Sequence, residues 1–585
     1  MTKENKFNSL NLKPKSDKIR AWFRSHNFLP QLLYFISGII STFWFLIRVI
    51  PKPSRAAYPC MRVAAPVMSG FVLYLLAVAG IVATSRKVKR KFLNVRYLST
   101  GLLTFGVIVT MAITPSQNTI TSYQNKIIKF GPDDGPNQPI GNALGINPGR
   151  VVWVWNPEAT NENCISAFNT QDWYYKPQNT YEKVVGKMVR NALSKLTFKK
   201  TVKESWNVLF HSQNIRKSQK NIGYTKGEKI FIKINQGTSR WVLNSADKKN
   251  GYYFPKTLKP NEERRRISMG ATETGPYLVL ELLRELVNES GVNQADIAVG
   301  DPMTNTYGHN YDIWFAEFPG VVYTDKFSTA YGRTLISPSS NDLIYYSDKT
   351  QSDKLYDIME KADYLINTAN LKPHVWAGIS LNAKNHFGSQ TRESAGYLHH
   401  SLLIPREGIP SNGGYHKYRV LVDLMGRKYM GQNTLLYIVD GLFAGGGTET
   451  KPTVKYFMTP FNNDYCNSIF LSQDQVALES VCFDFLRTEW NGINKHDPIN
   501  NAPENGPNMN GVDDYLHQAA DSSNWPEGIL YDPDNSGKLL SSLGTHEHWN
   551  NAEQKQYSRN LGHNKGIELV SIPDTLVKAE LSQKK

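Results

Sequence analysis

Cysteine is scarce in this 585-residue chain, and the few cysteines it has are widely spaced. None belongs to a Cys-x-x-Cys pair, so the chain cannot build an iron–sulfur cluster or a structural zinc ribbon from them. Two of the cysteines can form one disulfide bond, or all of them can be free buried thiols. The sequence does not distinguish between these alternatives. The cysteines are Cys60, Cys164, Cys466 and Cys482.

Standard catalytic signatures are also missing. The sequence contains no G-x-x-x-x-G-K-[ST] phosphate loop, no G-x-G-x-x-G dinucleotide turn, no G-x-S-x-G elbow and no H-E-x-x-H helix. It shows no repeat with a period of about 20–50 residues. The reaction class therefore has to be inferred from the arrangement of individual polar residues.

Acidic residues are nearly absent from one segment of the chain. Residues 1–113 contain 17 Lys and Arg against Glu4 and Asp17, a net charge of +15, whereas residues 114–585 contain 50 basic and 49 acidic residues. The formal charge of +16 is thus a property of the N-terminal segment. Because the remainder has no polybasic field that would neutralise phosphates, we expect no nucleic-acid partner.

The N-terminal segment contains three apolar runs, at residues 29–50, 66–84 and 98–114. Each is close to the about 20 residues that a helix needs to cross a bilayer. Basic residues concentrate before the first run and after the second, which places the N-terminus in the cytoplasm and the large C-terminal part outside it. A re-entrant first run would reverse this topology. We predict a multi-pass protein of the bacterial inner membrane, with the lipid bilayer as one partner.

The predicted organisation has four parts. Residues 1–114 form the transmembrane anchor, residues 115–150 a Gly- and Pro-rich linker, residues 151–575 an extracytoplasmic α/β domain and residues 576–585 a tail. In the α/β domain, short apolar runs alternate with amphipathic patterns, which favours a largely parallel sheet flanked by helices. Strands are predicted at 151–155, 229–235, 297–301, 321–325, 364–370, 435–441 and 468–474, and helices at 180–196, 274–290 and 474–490.

Several predicted strands end on a polar residue or lead directly into one. Ligands bind at the carboxyl ends of strands in open parallel sheets, so these residues are expected to share one edge. Each can also be explained locally, as a helix cap or a turn. They are Asn235, Asp301, Asp440 and Asp474, with Lys372 and His374 following the strand at 364–370.

The segment 363–388 mixes lysines and histidines with large apolar residues such as Trp376 and Phe387. That mixture suits the wall of a binding cleft, and ammonium groups beside backbone N–H donors would hold a phosphate or a carboxylate. We therefore expect an anionic small-molecule or polymer ligand. The candidate ligand-binding residues are Lys372, Lys384, Asn382, Asn385 and Asn235, and the candidate catalytic residues are His374, His386, Asp440 and Asp301.

Two further patterns suggest metal ions. His546 and His548 have the i, i+2 spacing that puts both imidazoles on one face of a strand, with Glu547 pointing away. With Asp474, Asp301 or Asp440 as a carboxylate ligand they would form a mixed nitrogen and oxygen site. Hydrogen-bonded histidines without a metal are the alternative. Asp532 and Asp534 fit the first half of a calcium loop, and a metal-free Asx turn is the alternative there.

Three long motifs stand out in the α/β domain: KPHVWAGISLNAKNHFG, LLYIVDGLFAGGG and IFLSQDQVALESVCFDFL. Through them the chain resembles the family called domain of unknown function 362 (DUF362). Shorter motifs such as DDYLHQAA and SLGTHEHWNN suggest a long form of the family, here membrane-anchored, and the resemblance spans roughly residues 145–575. It implies a fold class and a site but no reaction. Some relatives carry ferredoxin-like cysteine clusters, which this chain lacks, so a redox role by that route is not implied.

Taken together, these features favour a membrane-anchored extracytoplasmic enzyme that acts on an anionic ligand, with a divalent metal as a possible cofactor. The competing hypothesis is a non-catalytic cell-envelope protein that binds a surface polymer or a partner complex through the same residues. The sequence does not identify the substrate, the metal or the oligomeric state.

Overall fold

The computed structural model describes residues 134–165, 172–237, 272–326, 332–374, 376–402, 415–445, 454–490 and 512–577, with a few isolated residues besides. The chain divides into two compact units, Met1–Lys126 and Ile127–Lys585. Nearly all of the three predicted membrane runs, much of the predicted linker and the tail from 578 onward lie outside the described residues. Among the described residues, no helix is both long and apolar enough to span a bilayer.

The strands of the second unit are short and largely buried. Numbered in chain order, they are β1 (Ile140–Gly141), β2 (Arg150–Trp155), β3 (Ile230–Lys233), β4 (Ile297–Gly300), β5 (Val322–Asp325), β6 (Thr334–Leu335), β7 (Pro338–Tyr345), β8 (Ser352–Tyr356), β9 (Tyr364–Asn370), β10 (Pro373–His374), β11 (Gly378–Ile379), β12 (Thr434–Gly441), β13 (Ser468–Ser472), β14 (Thr545–His546) and β15 (Glu568–Ile572).

The helices connect these strands and pack on both sides of them. They are α1 (Glu182–Thr197), α2 (Val202–Ser218), α3 (Pro276–Arg284), α4 (Gly308–Glu317), α5 (Asp357–Glu360), α6 (Asn382–Asn385), α7 (Val420–Gly426), α8 (Gln475–Glu489) and α9 (Val512–Ala520). A π-helical turn, Glu285–Glu289, extends α3.

One nine-stranded sheet dominates the unit, in the order β15-β2-β13-β12-β9-β3-β4-β5-β6. All neighbouring pairs are parallel except those of β13, which runs antiparallel to both β12 and β2. Helices cover both faces of the sheet. Apolar side chains therefore point to both faces of the strands. The prediction of a largely parallel sheet flanked by helices is confirmed.

Alternation along β2 shows how the two faces are filled. Val151 and Trp153 join the core beneath α7, α8 and α9, whereas Val152 and Val154 join the core beneath α1 to α4. The same alternation recurs in β12, where Val439 belongs to the first core and Ile438 to the second. Successive residues of a strand face opposite sides of the sheet, and both sides are buried here. This explains why these runs are almost wholly apolar in sequence.

The direction of β13 corrects one expectation. Asp474 follows β13, so it lies at the opposite edge from the carboxyl ends of the parallel strands. Its carboxylate caps α8 by accepting from Ala477 N at 2.9 Å, and it also accepts from Leu144 N at 2.8 Å. The prediction that Asp474 lies at the shared edge and binds a metal with His546 and His548 was therefore wrong. The local alternative, a helix N-cap, accounts for this residue.

Candidate functional site

The order in which strands join the sheet reverses beside β3. From β3 the chain adds β4, β5 and β6 on one side, and it then returns to add β9 and β12 on the other side. β3 and β9 therefore flank a topological switch point, which is where open α/β sheets bind ligands, outside the carboxyl ends of the strands. Residues following β3 and β9 meet there.

Lys372 joins these two strand ends. Its ammonium group donates to Asn235 Oδ1 at 2.9 Å, just beyond β3, and to the carbonyl oxygen of Thr272 at 2.8 Å. Gly445 lies against the stem of the same lysine, since a Cβ at 445 would be 2.7 Å from Lys372 Cβ. The backbone after β12 can approach Lys372 closely only because residue 445 is a glycine.

Three residues next to these strand ends contain buried polar atoms without hydrogen-bond partners. Within the described part of the chain, Gln236 Nε2, Thr272 Oγ1 and Asn370 Oδ1 have none. All three residues are at most 1% exposed. Buried polar groups are nearly always paired with protein, water or ligand, so such a concentration at one strand edge indicates an occupant.

Lys233, which the sequence analysis missed, anchors a second network directly behind the first. Its ammonium group is fully buried and lies 3.0 Å from Asp301 Oδ1, 3.0 Å from Asn385 Oδ1 and 2.7 Å from the carbonyl oxygen of Ile234. Asp301 also accepts from Gln236 N at 2.9 Å. Because the buried ammonium group lies close to all three groups, this network holds β3, β4 and α6 together.

Asp440 lies at the end of β12, at the predicted edge. Its Oδ2 accepts from Gly275 N at 2.8 Å, at the start of α3, and its Oδ1 accepts from Leu442 N at 2.9 Å. Burial raises the pKa of Asp440 to about 6, although these two backbone donors act in the opposite direction. The carboxyl group therefore titrates near neutral pH, as an acid–base group would.

His386 and His374 have separate surroundings. His386 lies between Asn367 Nδ2 and Ser389 Oγ, each 3.0 Å from a ring nitrogen, and burial with the charge of Lys233 lowers its pKa to about 3. His374 accepts from the backbone N–H groups of Trp376 and Ala377. Both imidazoles are neutral.

The remaining candidates of the segment 363–388 differ in burial. Asn382 is fully buried and donates to the carbonyl oxygens of Asn367 and Ile438, which fixes α6 on the sheet. Lys384 is only half-buried, and its ammonium group lies 4.4 Å from the ring centre of Phe387. The structure thus brings Lys372, Asn235 and Asp440 to the strand ends, and it gives Asn382 and Asn385 packing contacts.

The aspartates of the proposed calcium loop have protein partners. Asp532 accepts from the N–H groups of Ser536 and Gly537, and Asp534 accepts from Lys428 N. These contacts form an Asx-type turn on the surface, which is the alternative stated for this sequence.

His546 and His548 point to the same place, as their spacing predicts, and Glu547 points away to Ser558 and Ile567. Their carboxylate neighbours are Asp513 and Asp134, so the predicted partners Asp301, Asp440 and Asp474 were wrong. Asp513 stands in the DDYLHQAA motif, but neither it nor Asp134 is close to the histidines in sequence.

A model of the family described as "Domain of unknown function (DUF362)" matches residues 257–484. The matched part contains α3, the strands from β4 to β13 and most of α8, and it is shorter than the expected 145–575. No curated protein and no solved structure matches the chain. The matched part is less than half of the chain, and it includes the motifs around Lys372 and Asp440 that resemble this family.

Proposed function

We propose that the protein is a membrane-anchored enzyme that acts on an anionic ligand at the switch point between β3 and β9. In this proposal the N-terminal segment is a three-span anchor in the bacterial inner membrane, the α/β unit is extracytoplasmic, and the chain is a long form of the DUF362 family. The charge asymmetry of the N-terminal segment supports the anchor.

One observation carries the proposed site. Lys372 brings a positive charge to the switch point, and buried unpartnered polar atoms of Gln236, Thr272 and Asn370 lie in the same region. A phosphate or carboxylate group offers several acceptor oxygens, and it would pair with the ammonium group and with the free N–H of Gln236. Such a ligand would remove the cost of leaving the buried Gln236 amide nitrogen unpaired.

Each residue then has a role in the proposal. Lys372 would stabilise negative charge on the ligand, and Asn235 would hold the ammonium group in position. Asp440, whose pKa burial raises to about 6, would act as the proton donor or acceptor. His374 and His386 would support the site as neutral hydrogen-bonding groups, because burial lowers the pKa of both.

A second candidate function is favoured by a different observation. The Lys233 network is fully buried and satisfied, which is typical of a rigid scaffold. A non-catalytic cell-envelope protein that binds a surface polymer would use the same edge for recognition without turnover.

Thermal unfolding of the full-length protein with and without inorganic phosphate, pyrophosphate or citrate tests the proposed site. A ligand at 100 times its dissociation constant stabilises the folded state by about 2.7 kcal/mol, which is readily measured. The variant Lys372→Met should lose this response. Lys361→Met is the matched control, because Lys361 is exposed and lies before β9, at the opposite edge of the sheet. An equal response in Lys372→Met and in the wild type would contradict the proposed site.

A further inference from the structure

Four side chains from distant parts of the chain converge on one point away from the switch point. Asp134 precedes β1, Asp513 lies in the first turn of α9, and His546 and His548 lie on and just after β14. One ligand atom from each lies within 4.8 Å of the others. Apart from Asp134, whose side chain is 22% exposed, they are buried.

The second nitrogen of each imidazole fixes the direction of the first. His546 Nδ1 lies 2.8 Å from Ser480 Oγ, whose hydroxyl donates to the carbonyl oxygen of Val476, so Ser480 accepts from His546. His548 Nδ1 lies 2.8 Å from Asp484 Oδ1, and a carboxylate can only accept. Both imidazoles therefore carry a proton on Nδ1 and turn Nε2 towards the cluster.

The atoms that face one another in the cluster are all acceptors when the imidazoles are neutral. His546 Nε2, His548 Nε2 and Asp513 Oδ1 have no hydrogen-bond partner within the described residues. A buried carboxylate oxygen facing two nitrogen lone pairs is unfavourable unless a positive charge lies between them.

Protons or a metal ion can supply that charge. A proton on His548 would pair with Asp513 and leave His546 Nε2 facing two carboxylates at 3.5 Å. One divalent cation would satisfy all four groups together.

Three separations within the cluster are close to those of tetrahedral coordination. His548 Nε2 lies 3.1 Å from Asp513 Oδ1, and His546 Nε2 lies 3.5 Å from both Asp513 Oδ1 and Asp134 Oδ2. Bonds of about 2.0–2.2 Å from a central zinc to nitrogen and oxygen place tetrahedral ligands about 3.3–3.6 Å apart. All four atoms lie within 4.8 Å of one another, so a bound ion would draw the more distant side chains inward.

The geometry points to a site for one divalent transition-metal ion, such as Zn²⁺, Mn²⁺ or Fe²⁺, bound by Asp134, Asp513, His546 and His548. Two imidazoles with two carboxylates select these ions over Ca²⁺ and Mg²⁺, which prefer oxygen ligands. Asp484 and Ser480 orient the histidines from behind, as outer partners do in zinc sites. Of the six residues, only Ser480 and Asp484 lie within the part that matches the DUF362 model.

The ion would link segments that are hundreds of residues apart in sequence. Asp134 is near the start of the unit, and His517 of α9 is hydrogen-bonded to its carboxylate. Because Asp134 is the most exposed ligand, it marks the side from which the metal enters. A bound ion would therefore stabilise the packing of β14, α9 and the start of the unit.

Metal analysis of tag-free full-length protein tests the site, followed by removal of metal with a chelator and titration with Zn²⁺. The wild type should bind one equivalent, and Zn²⁺ should raise its melting temperature. His548→Gln and Asp513→Asn should lose both effects. His563→Gln, which alters an exposed histidine of the same region, should retain them.

Two additional readouts keep the test independent of variants that fail to fold. Ser480→Ala leaves all four ligands in place and should weaken Zn²⁺ binding by about 10–100-fold. Co²⁺ in the wild type should give the visible absorption of a tetrahedral site. Absence of both metal and a Zn²⁺-dependent melting shift in folded wild type would overturn the proposal, as would wild-type binding by Asp513→Asn. Lys372→Met should bind Zn²⁺ normally, so failure of the anion site would be recognised separately.

Discussion

Two lysines at opposite ends of β3 differ mainly in burial, so their substitution should affect stability very differently. Lys233, the last residue of β3, is 0% exposed and pairs with Asp301 at 3.0 Å. Lys229, immediately before the same strand, has a side chain that is 50% exposed and pairs with Asp296 at 2.5 Å. We compare Lys233→Met with Lys229→Met.

The expected cost follows from what each substitution leaves behind. Lys233→Met keeps the length of the side chain but leaves Asp301 and the carbonyl oxygen of Ile234 without the ammonium group, and it removes the partner of Asn385 Oδ1. Breaking a buried ion pair in this way costs about 3–5 kcal/mol. Lys229 is half-exposed, so water can replace its ammonium group beside Asp296, whose side chain is 7% exposed, and the substitution should cost about 1 kcal/mol.

Denaturant unfolding of the two variants and the wild type, followed by circular dichroism, gives the comparison. The midpoint for Lys233→Met should fall well below that for Lys229→Met. The double variant Lys233→Met, Asp301→Leu should recover part of the loss, because it removes the uncompensated carboxylate. Equal midpoints for the two single variants would refute the view that the Lys233 network holds the strand ends together.

Three other predictions concern the core and the anchor. Burial raises the pKa of Glu285 from 4.5 to about 8, so its contribution to stability is present below pH 4.5 and is lost as the pH rises to 8. Glu285→Gln keeps an acceptor for Trp206 Nε1, so it should flatten this pH dependence and be more stable than the wild type above pH 8, by on the order of 5 kcal/mol. A series of unfolding midpoints at different pH values checks this prediction, and parallel curves for the two proteins would contradict it. Gly388→Ala places a Cβ in overlap with Asp301 Oδ1 and 3.2 Å from Lys233 Nζ. The variant should therefore lose about 1–3 kcal/mol of the free energy of unfolding, measured with denaturant. No change would show that the Lys233 network can rearrange around the added methyl group. Alkaline phosphatase fused after Lys585 should be active in intact cells, and an inactive fusion alongside an active cytoplasmic reporter would reverse the predicted topology.

Local sequence patterns predicted most of the sheet, because a strand buried on both faces appears in the sequence as a nearly continuous apolar run. β9 lies at 364–370 as predicted, and β3, β4 and β12 differ from prediction by one to three residues. β15 was missed, since Glu568 and Ser571 interrupt its apolar pattern and its partner β2 is more than 400 residues away. A short apolar run does not show whether its strand is parallel or antiparallel to its neighbours, so the sequence could not distinguish β13 from a parallel strand.

The site was predictable only in part for a similar reason. Lys372, Asn235 and Asp440 follow strands and could be placed by the rule for parallel sheets. Lys233 lies inside the run KIFIKIN, where a lysine between buried residues is a signal that could have been noticed. The carboxylates beside His546 and His548 come from residues 134 and 513, and one sequence contains no information about such long-range pairing.

The central claim is that the switch point between β3 and β9 binds an anion. A crystal structure of the full-length protein soaked with tungstate, a heavy oxyanion, tests this claim by anomalous scattering. An ordered tungstate is expected at the switch point, with an oxygen about 3 Å from Lys372 Nζ. Tungstate bound only to surface lysines, with no ion beside Lys372, would contradict it.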